Sequence, residues 1–201
     1  MKLFVDTANT EQIDIWRQHP WVSGFTTNPS LYVKSHDPSV AGGVMQWAKD
    51  AVEAADGFPI SIDGPPEVWE LGQNVWRKVT GSLNYDSLRP RVNLTAICHT
   101  SQVPRTMHPR DIISVFCGRI MDTGRDPQPV IDAAKATDAQ VLWASVREPY
   151  NIVQAEAAGC DVVTVPPAIL QKYLDWQGKP LEKVAEETIA QFAKDSEGLW
   201  I

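Results

Sequence analysis

Short apolar runs alternate along this chain with longer segments whose apolar residues recur at helical spacing. The short runs are Leu3–Asp6, Trp21–Thr26, Pro59–Asp63, Val75–Thr80, Val92–Ile97, Asp111–Cys117, Gln140–Ser145 and Asp161–Val165. Each has the length and composition of a strand. The helical segments predicted between and after them are Thr10–Gln18, a helix opening at Pro29, Val40–Ala55, Glu67–Gln73, Gln128–Lys135, Pro149–Ala158, Pro166–Leu174 and Leu181–Lys194. Thr10 suits an N-cap, and Pro29 a first helical turn. Gly81–Arg91 reads as irregular, and residues 98–110 leave little room for a full helix.

Strands that alternate with helices imply βαβ units and a parallel sheet. Eight strands suit a (β/α)8 barrel, with an open doubly wound sheet as the competitor. No Gly-x-Gly-x-x-Gly follows the first strand, which counts against a dinucleotide-binding sheet. Side-chain parity favours the barrel. Successive strand residues point to opposite faces. One parity is apolar: Leu3 and Val5; Ile60 and Ile62; Val92, Leu94 and Ala96; Ile113, Val115 and Cys117; Ala144 and Val146; Val163 and Val165. The other is polar near the end of nearly every strand: Asp6, Thr26 and Asn28, Ser61 and Asp63, Lys78 and Thr80, Asn93 and Thr95, Ser114, Ser145 and Arg147, and Thr164. In a barrel these groups converge on one interior rim, where active sites of the fold lie. The same parity sends Trp143 inward and Arg77 into the helix layer, where it must snorkel or pair. At 201 residues the chain is shorter than the ~250 typical of the fold, so the helices after strands four and five are expected to be shortened.

Composition narrows the partners. Hydrophobic residues are 43% and charged residues 21%, which is ordinary for a chain with a real core. A net charge of −7 argues against nucleic acid or an anionic membrane, and leaves room for a small basic phosphate pocket. Cys98, Cys117 and Cys160 are odd in number and widely spaced, so neither a disulfide framework nor a zinc site is expected. A reduced, cytoplasmic setting is the simplest expectation. The first residues run straight into a strand with no signal-peptide pattern, and no apolar run reaches the ~18 residues of a membrane span. A single barrel domain over 1–201 is expected.

Lys78 carries the chemistry. Burying an ammonium ion in a strand is costly, and covalent catalysis is the commonest reason to do so. Desolvation favours the neutral amine, which attacks carbonyls to form a Schiff base. The plain alternative is a strand-end lysine that reaches solvent. Asp63 and Asp6 are the candidate proton carriers, with the Thr95 hydroxyl holding a water. Locally, Asp6 also suits a turn cap with Thr7, and Asp63 the opening of the Gly64-Pro65 turn. Arg119, Arg147 and Ser145 suit a phosphate monoester, although Asp122 and Glu148 are nearby ion-pair partners. His19, His36, His99 and His108 have no metal-ligand spacing, and only His99 falls near the rim. No Gly-x-Ser-x-Gly, P-loop or catalytic-cysteine signature is present. No metal or cofactor is expected.

Phe4-Val5-Asp6-Thr7-Ala8-Asn9 and Gly24-Phe25-Thr26-Thr27-Asn28-Pro29-Ser30-Leu31 resemble the transaldolase family. Val92–Ile97, Ser114-Val115-Phe116-Cys117-Gly118-Arg119-Ile120 and Ala144-Ser145-Val146-Arg147 are similar to its later motifs, in the same order. In length the chain is nearest the small transaldolases and fructose-6-phosphate aldolases. The resemblance implies a class I aldolase-like (β/α)8 barrel that moves a dihydroxyacetone unit between sugar phosphates. It implies Lys78 as the Schiff-base lysine and Asp6 as the acceptor of the hydroxyl proton. Asn28, Asn93 and Ser114 would bind the dihydroxyacetone hydroxyls, and Thr95 the catalytic water. Arg119, Ser145 and Arg147 would hold the phosphate. It also implies a homo-oligomer, a pentamer or decamer, with the C-terminal helix at 180–201 packed on a neighbouring subunit. Three places depart from the pattern, and a fourth, Phe116, divides its two branches. Asp63 stands where transaldolases carry Glu and the aldolases Gln. Phe116 matches transaldolases, where the aldolases have Tyr. Val79-Thr80 replaces the usual Ile-Pro or Val-Pro, and Cys98-His99 the usual aromatic.

Overall fold

The computed structural model describes residues 1–35, 43–81 and 91–198. Eight parallel strands close into a barrel in chain order: β1 (Lys2–Asp6), β2 (Val22–Thr26), β3 (Ile60–Asp63), β4 (Val75–Thr80), β5 (Val92–Ile97), β6 (Ile112–Val115), β7 (Gln140–Trp143) and β8 (Val162–Val165). Closure is completed by β1 pairing with both β2 and β8. The helices are α1 (Thr10–Trp16), α2 (Pro29–Ser35), α3 (Gly43–Ala55), α4 (Cys117–Met121), α5 (Gln128–Lys135), α6 (Tyr150–Ala157), α7 (Pro167–Trp176) and α8 (Leu181–Ser196). The expected barrel is therefore the fold, and every strand predicted from the sequence is present within a few residues.

Most of the apolar core lies between barrel and helices. Val5, Phe25, Ile60, Ile62, Leu94, Ile113, Val115, Val163 and Val165 point outward and pack against Ile13, Trp47, Ala48, Val68, Ile131 and Leu170. The interior holds a smaller apolar plug of Phe4, Ile112, Leu142, Ala144 and Val162. Gly24 is required beside this plug, since a Cβ there would sit 2.7 Å from the Phe4 ring. The plug floors the barrel, and polar side chains stand above it.

Several local expectations change. Asn9, not Thr10, caps α1: its side chain accepts from the Gln12 amide. Residues 66–71 wind as a 3₁₀ turn rather than an α-helix. After β5 one 3₁₀ turn, Thr100–Gln102, replaces a helix, as expected from the short connection. The corresponding segment after β4, residues 82–90, lies outside the described residues, as do the start of the helix expected from Val40 and His36. Cys117 opens α4 instead of ending β6.

Strand parity breaks at two places, for one reason. Trp143 faces the outer core, while Leu142 and Ala144 face the interior, which reverses the inward placement expected for Trp143. Ser145 then adopts φ 63°, a left-handed conformation that turns the chain. Ala144, Ser145, Val146 and Arg147 consequently all border the same cavity. In β5, Ala96 has φ 61° and lies within a register shift between Leu94 and Ile97. Ala96 therefore turns to the cavity instead of the helix layer. A period-two pattern holds only through extended backbone, and neither residue is extended. Arg77 does point into the helix layer: its Nε donates to the Gly64 carbonyl at 2.9 Å, and its guanidinium lies over the Trp69 ring.

Candidate active site

A cavity of about 480 Å³ opens at the C-terminal ends of the strands. That is the usual size for a small-molecule site, at the usual end of the barrel. Asp6, Asn28, Asp63, Lys78, Thr95, Ser114, Phe116, Arg119, Ser145 and Arg147 all border it. Of the residues singled out from sequence, only Asn93 lies beneath the lining. It is fully buried, and its amide is fixed on both sides. Nδ2 donates to Ser61 Oγ at 3.0 Å, and Oδ1 accepts from Ser114 Oγ at 2.7 Å.

Lys78 stands at the centre of this arrangement. Pairing of β3 with β4 sets Asp63 beside it, and pairing of β4 with β5 sets Asn93 on its other side. The side chain is only 8% exposed, so the lysine does not escape to bulk solvent. Its Nζ donates to the Thr27 carbonyl and lies 3.8 Å from Asp63 Oδ2. Thr27 was not visible as a partner in the sequence, because the acceptor is a backbone oxygen. Among the described residues, buried Asp63 Oδ2 has no hydrogen-bond partner, and neither has Thr95 Oγ1. Both border the same cavity as the amine, so both remain available to a substrate or a water there.

The two carboxyl groups are held differently. Asp6 Oδ1 accepts from Thr26 Oγ1 at 2.7 Å. Burial pushes the Asp6 carboxyl above the usual carboxylate range, against the opposing pull of Lys78, Thr26 and Asn28. Burial also raises Asp63; Lys78 opposes that rise and the charge of Asp6 adds to it. Two carboxyls with raised affinity for protons, bordering the same cavity as one amine, form a proton-handling set. Asn28 is oriented by its own helix, since its Oδ1 accepts from the Leu31 amide at the start of α2.

The basic side of the rim is built from β6 and β7. Arg119, on α4, lies over the Phe116 ring at 5.5 Å. Arg147 pairs with Asp122 at 2.9 Å while bordering the cavity. The local ion pair expected as an alternative is thus formed without removing the guanidinium from the rim. Gly118 makes the junction possible: a Cβ there would fall 1.8 Å from the Ser145 carbonyl oxygen. His99 takes no part in the cavity lining. It caps the Thr100–Gln102 turn by accepting from the Ser101 amide.

One cation escaped sequence reading. Lys34 borders the cavity from α2. Its place four residues after Ser30, on one helical face, is the signal that could have revealed it.

Comparison with known proteins agrees with this geometry. Residues 89–200 match the family model described as transaldolase/fructose-6-phosphate aldolase. A probable transaldolase of Nitrosopumilus maritimus is 31% identical, over 98% of this chain and 95% of its own length. One from Thermoplasma volcanium is 30% identical over 85% of this chain and 86% of its own. One from Chelativorans sp. is 31% identical over 96% and 97%. Matches of this identity span essentially the whole barrel, and the family match carries its second half. The chain belongs to the transaldolase/fructose-6-phosphate aldolase family.

Proposed function

We propose that this protein is a transaldolase that moves a dihydroxyacetone unit from a ketose phosphate to an aldose phosphate through a Schiff base on Lys78. Sedoheptulose 7-phosphate and fructose 6-phosphate are the donors that the resemblance suggests. The observation that carries the reading is the buried Lys78 amine, 3.8 Å from Asp63 and sharing with Asp6 a cavity that has a cationic rim.

The chemistry follows from the arrangement. Lys78 Nζ attacks the ketose C2 carbonyl and forms a carbinolamine. Proton transfers through Asp63 and a water held by Thr95 expel hydroxide as water and leave an iminium. Asp6 then takes the proton of the C4 hydroxyl as the C3–C4 bond breaks. The bond's electron pair enters the iminium to form an enamine, and the aldose phosphate departs. The enamine adds to the aldehyde of the incoming acceptor, and the same steps run in reverse. Asn28 and Ser114 hold the hydroxyls of the three-carbon unit, while Asn93, beneath the lining, orients Ser114 rather than touching substrate as expected. Arg119, Ser145 and Arg147 take the phosphate, whose oxygens suit charge-assisted hydrogen bonds. No cofactor or metal is required by these steps.

An aldolase that releases free dihydroxyacetone would use the same lysine. Phe116 favours transfer over release, because it offers no hydroxyl at the rim. A cytoplasmic location is part of the same reading. So is a single barrel domain joined into a pentamer or decamer through residues 180–201. Helix α8 supports the assembly: none of its residues is buried, and Ile189 and Phe192 are each 69% exposed on it. The alternative of another class is a non-catalytic oligomer that binds sugar phosphates.

Borohydride reduction in the presence of fructose 6-phosphate, followed by peptide mass spectrometry, tests the reading. A three-carbon adduct on Lys78 is expected. Absence of an adduct on any lysine would leave only the binding protein. Turnover that proceeds equally well without an acceptor aldose phosphate would replace transaldolase with aldolase.

A further inference from the structure

Asp6 is one end of a line of hydroxyls that crosses the barrel interior. Thr26 Oγ1 lies 2.7 Å from Asp6 Oδ1 and 2.6 Å from Thr164 Oγ1. Thr26 is on β2 and Thr164 on β8, the two strands that flank β1. Both threonines are buried. Both border the cavity that Asp6 lines.

A hydroxyl has a single proton, and that constraint orients the line. When Asp6 is ionised it can only accept, so Thr26 donates to it and Thr164 must donate to Thr26. When Asp6 carries a proton, the line can run the other way, from Asp6 to Thr26 to Thr164. A single hydroxyl could not do this. With an apolar group in place of Thr164, Thr26 would lose its donor in one state and its acceptor in the other. Buried polar groups left unpaired cost about 1–3 kcal/mol each.

We infer that Thr164 is a positioning residue which, through Thr26, lets the Asp6 carboxyl gain and lose its proton in place. The inference rests on the proposed role of Asp6 in carbon–carbon cleavage. The other groups facing Asp6 are Lys78 from β4, Asp63 from β3 and Asn28 beyond β2. None of them meets Thr164, so its effect is separable from theirs. Donation from Thr164 polarises the Thr26 hydroxyl and so strengthens its bond to Asp6, and hydrogen bonds to an ionised group are the stronger ones. Losing Thr164 therefore harms the carboxylate more than the acid.

The test compares Thr164→Val, which removes the hydroxyl at nearly constant volume, with Thr164→Ser, which keeps it. The titration of the Asp6 carboxyl is followed by carbon-13 NMR, assigned with Asp6→Asn. In Thr164→Val the midpoint is expected to move up by about half a pH unit. Turnover should fall by about 10-fold, a minor share of the ~10²–10⁴ attributable to a general base. The summed yield of reduced adducts on Lys78, uncleaved ketose plus three-carbon unit, should stay unchanged, since imine formation precedes the step Asp6 serves. Thr164→Ser should restore both the midpoint and the turnover. An unmoved Asp6 midpoint in Thr164→Val, or a Ser variant that behaves like Val, overturns the inference. A wild-type protein that forms no lysine adduct overturns the Schiff-base reading instead, and the NMR comparison distinguishes the two failures.

Discussion

Asp63 Oδ2 lies 3.8 Å from Lys78 Nζ, and that buried oxygen makes no hydrogen bond with any of the described residues. The carboxylate is within reach of the amine, yet it is not locked to it. A tightly bonded pair would be an inert structural ion pair. A loose one can exchange protons with whatever enters the cavity.

Asp63→Asn is expected to separate stability from activity. The Asp63 carboxyl is pushed above the usual carboxylate range, chiefly by burial. Its favourable neutral form is fully present below about pH 4, and stability is lost as pH rises through the raised midpoint. At pH 7 the Asn variant should melt about 2–4 °C higher than wild type, the equivalent of about 1 kcal/mol. At pH 3 the difference should vanish, since both side chains are then neutral. Turnover should fall by roughly 10²-fold or more, as for loss of a general acid–base. Melting curves at the two pH values, with initial rates at pH 7, check all three points.

Lys78→Met should remove the borohydride adduct altogether. Activity should drop by at least about 10⁴-fold, the scale seen when a covalent nucleophile is deleted. Peptide mapping after reduction reads the first outcome, and a coupled assay the second.

Arg119→Ala and Arg147→Ala should each weaken phosphate recognition rather than chemistry. A lost charge-assisted hydrogen bond corresponds to about 10- to 100-fold in KM for a phosphorylated aldose. At saturating donor, reaction with unphosphorylated glyceraldehyde as acceptor should change little. Asp122→Asn should act in the opposite sense, because Asp122 competes for the Arg147 guanidinium at 2.9 Å. Its KM for the phosphorylated acceptor should fall about 2- to 3-fold, a modest change in keeping with an exposed pair.

Gly118→Ala should be severe. The added methyl carbon would need the space held by the Ser145 carbonyl oxygen, 1.8 Å away. Backbone cannot swing aside as a side chain can, so the β6 and β7 termini must separate. A loss of more than about 3 kcal/mol is expected, in the range of the most damaging single substitutions. Thermal melting gives the size, and phosphate-dependent KM should worsen in parallel.

The double variant Ile189→Glu, Phe192→Glu should change assembly and spare the barrel. Both side chains lie on α8, which buries none of its residues within the chain. Sedimentation should show the wild type as an oligomer and the variant as a smaller species with unchanged far-ultraviolet circular dichroism. A wild type that sediments as a monomer would refute the proposed pentamer or decamer.

Much of this molecule was legible in the order of its residues. Alternation of short apolar runs with helical segments is enough to imply a parallel sheet. The polar side chains at successive strand ends have one common destination only if the sheet closes. Lys78, Asp63 and Asp6 declared themselves because charged groups in strands are costly and therefore purposeful. What the tertiary structure decided is where extended backbone stops. Ala96 leaves the strand conformation and turns to the cavity a side chain that alternation assigns to the helix layer. Ser145 also leaves it, so that Ala144 and Ser145 both reach the cavity, whereas Trp143, still in extended strand, keeps to the outer core. Backbone partners were equally invisible beforehand: the Thr27 carbonyl that receives Lys78, and the Ser145 carbonyl that requires a glycine at 118. The hydroxyl line from Thr164 to Asp6 joins positions 158 residues apart in the chain, through Thr26. Local sequence sets which groups each strand can offer, whereas barrel closure sets which of them meet.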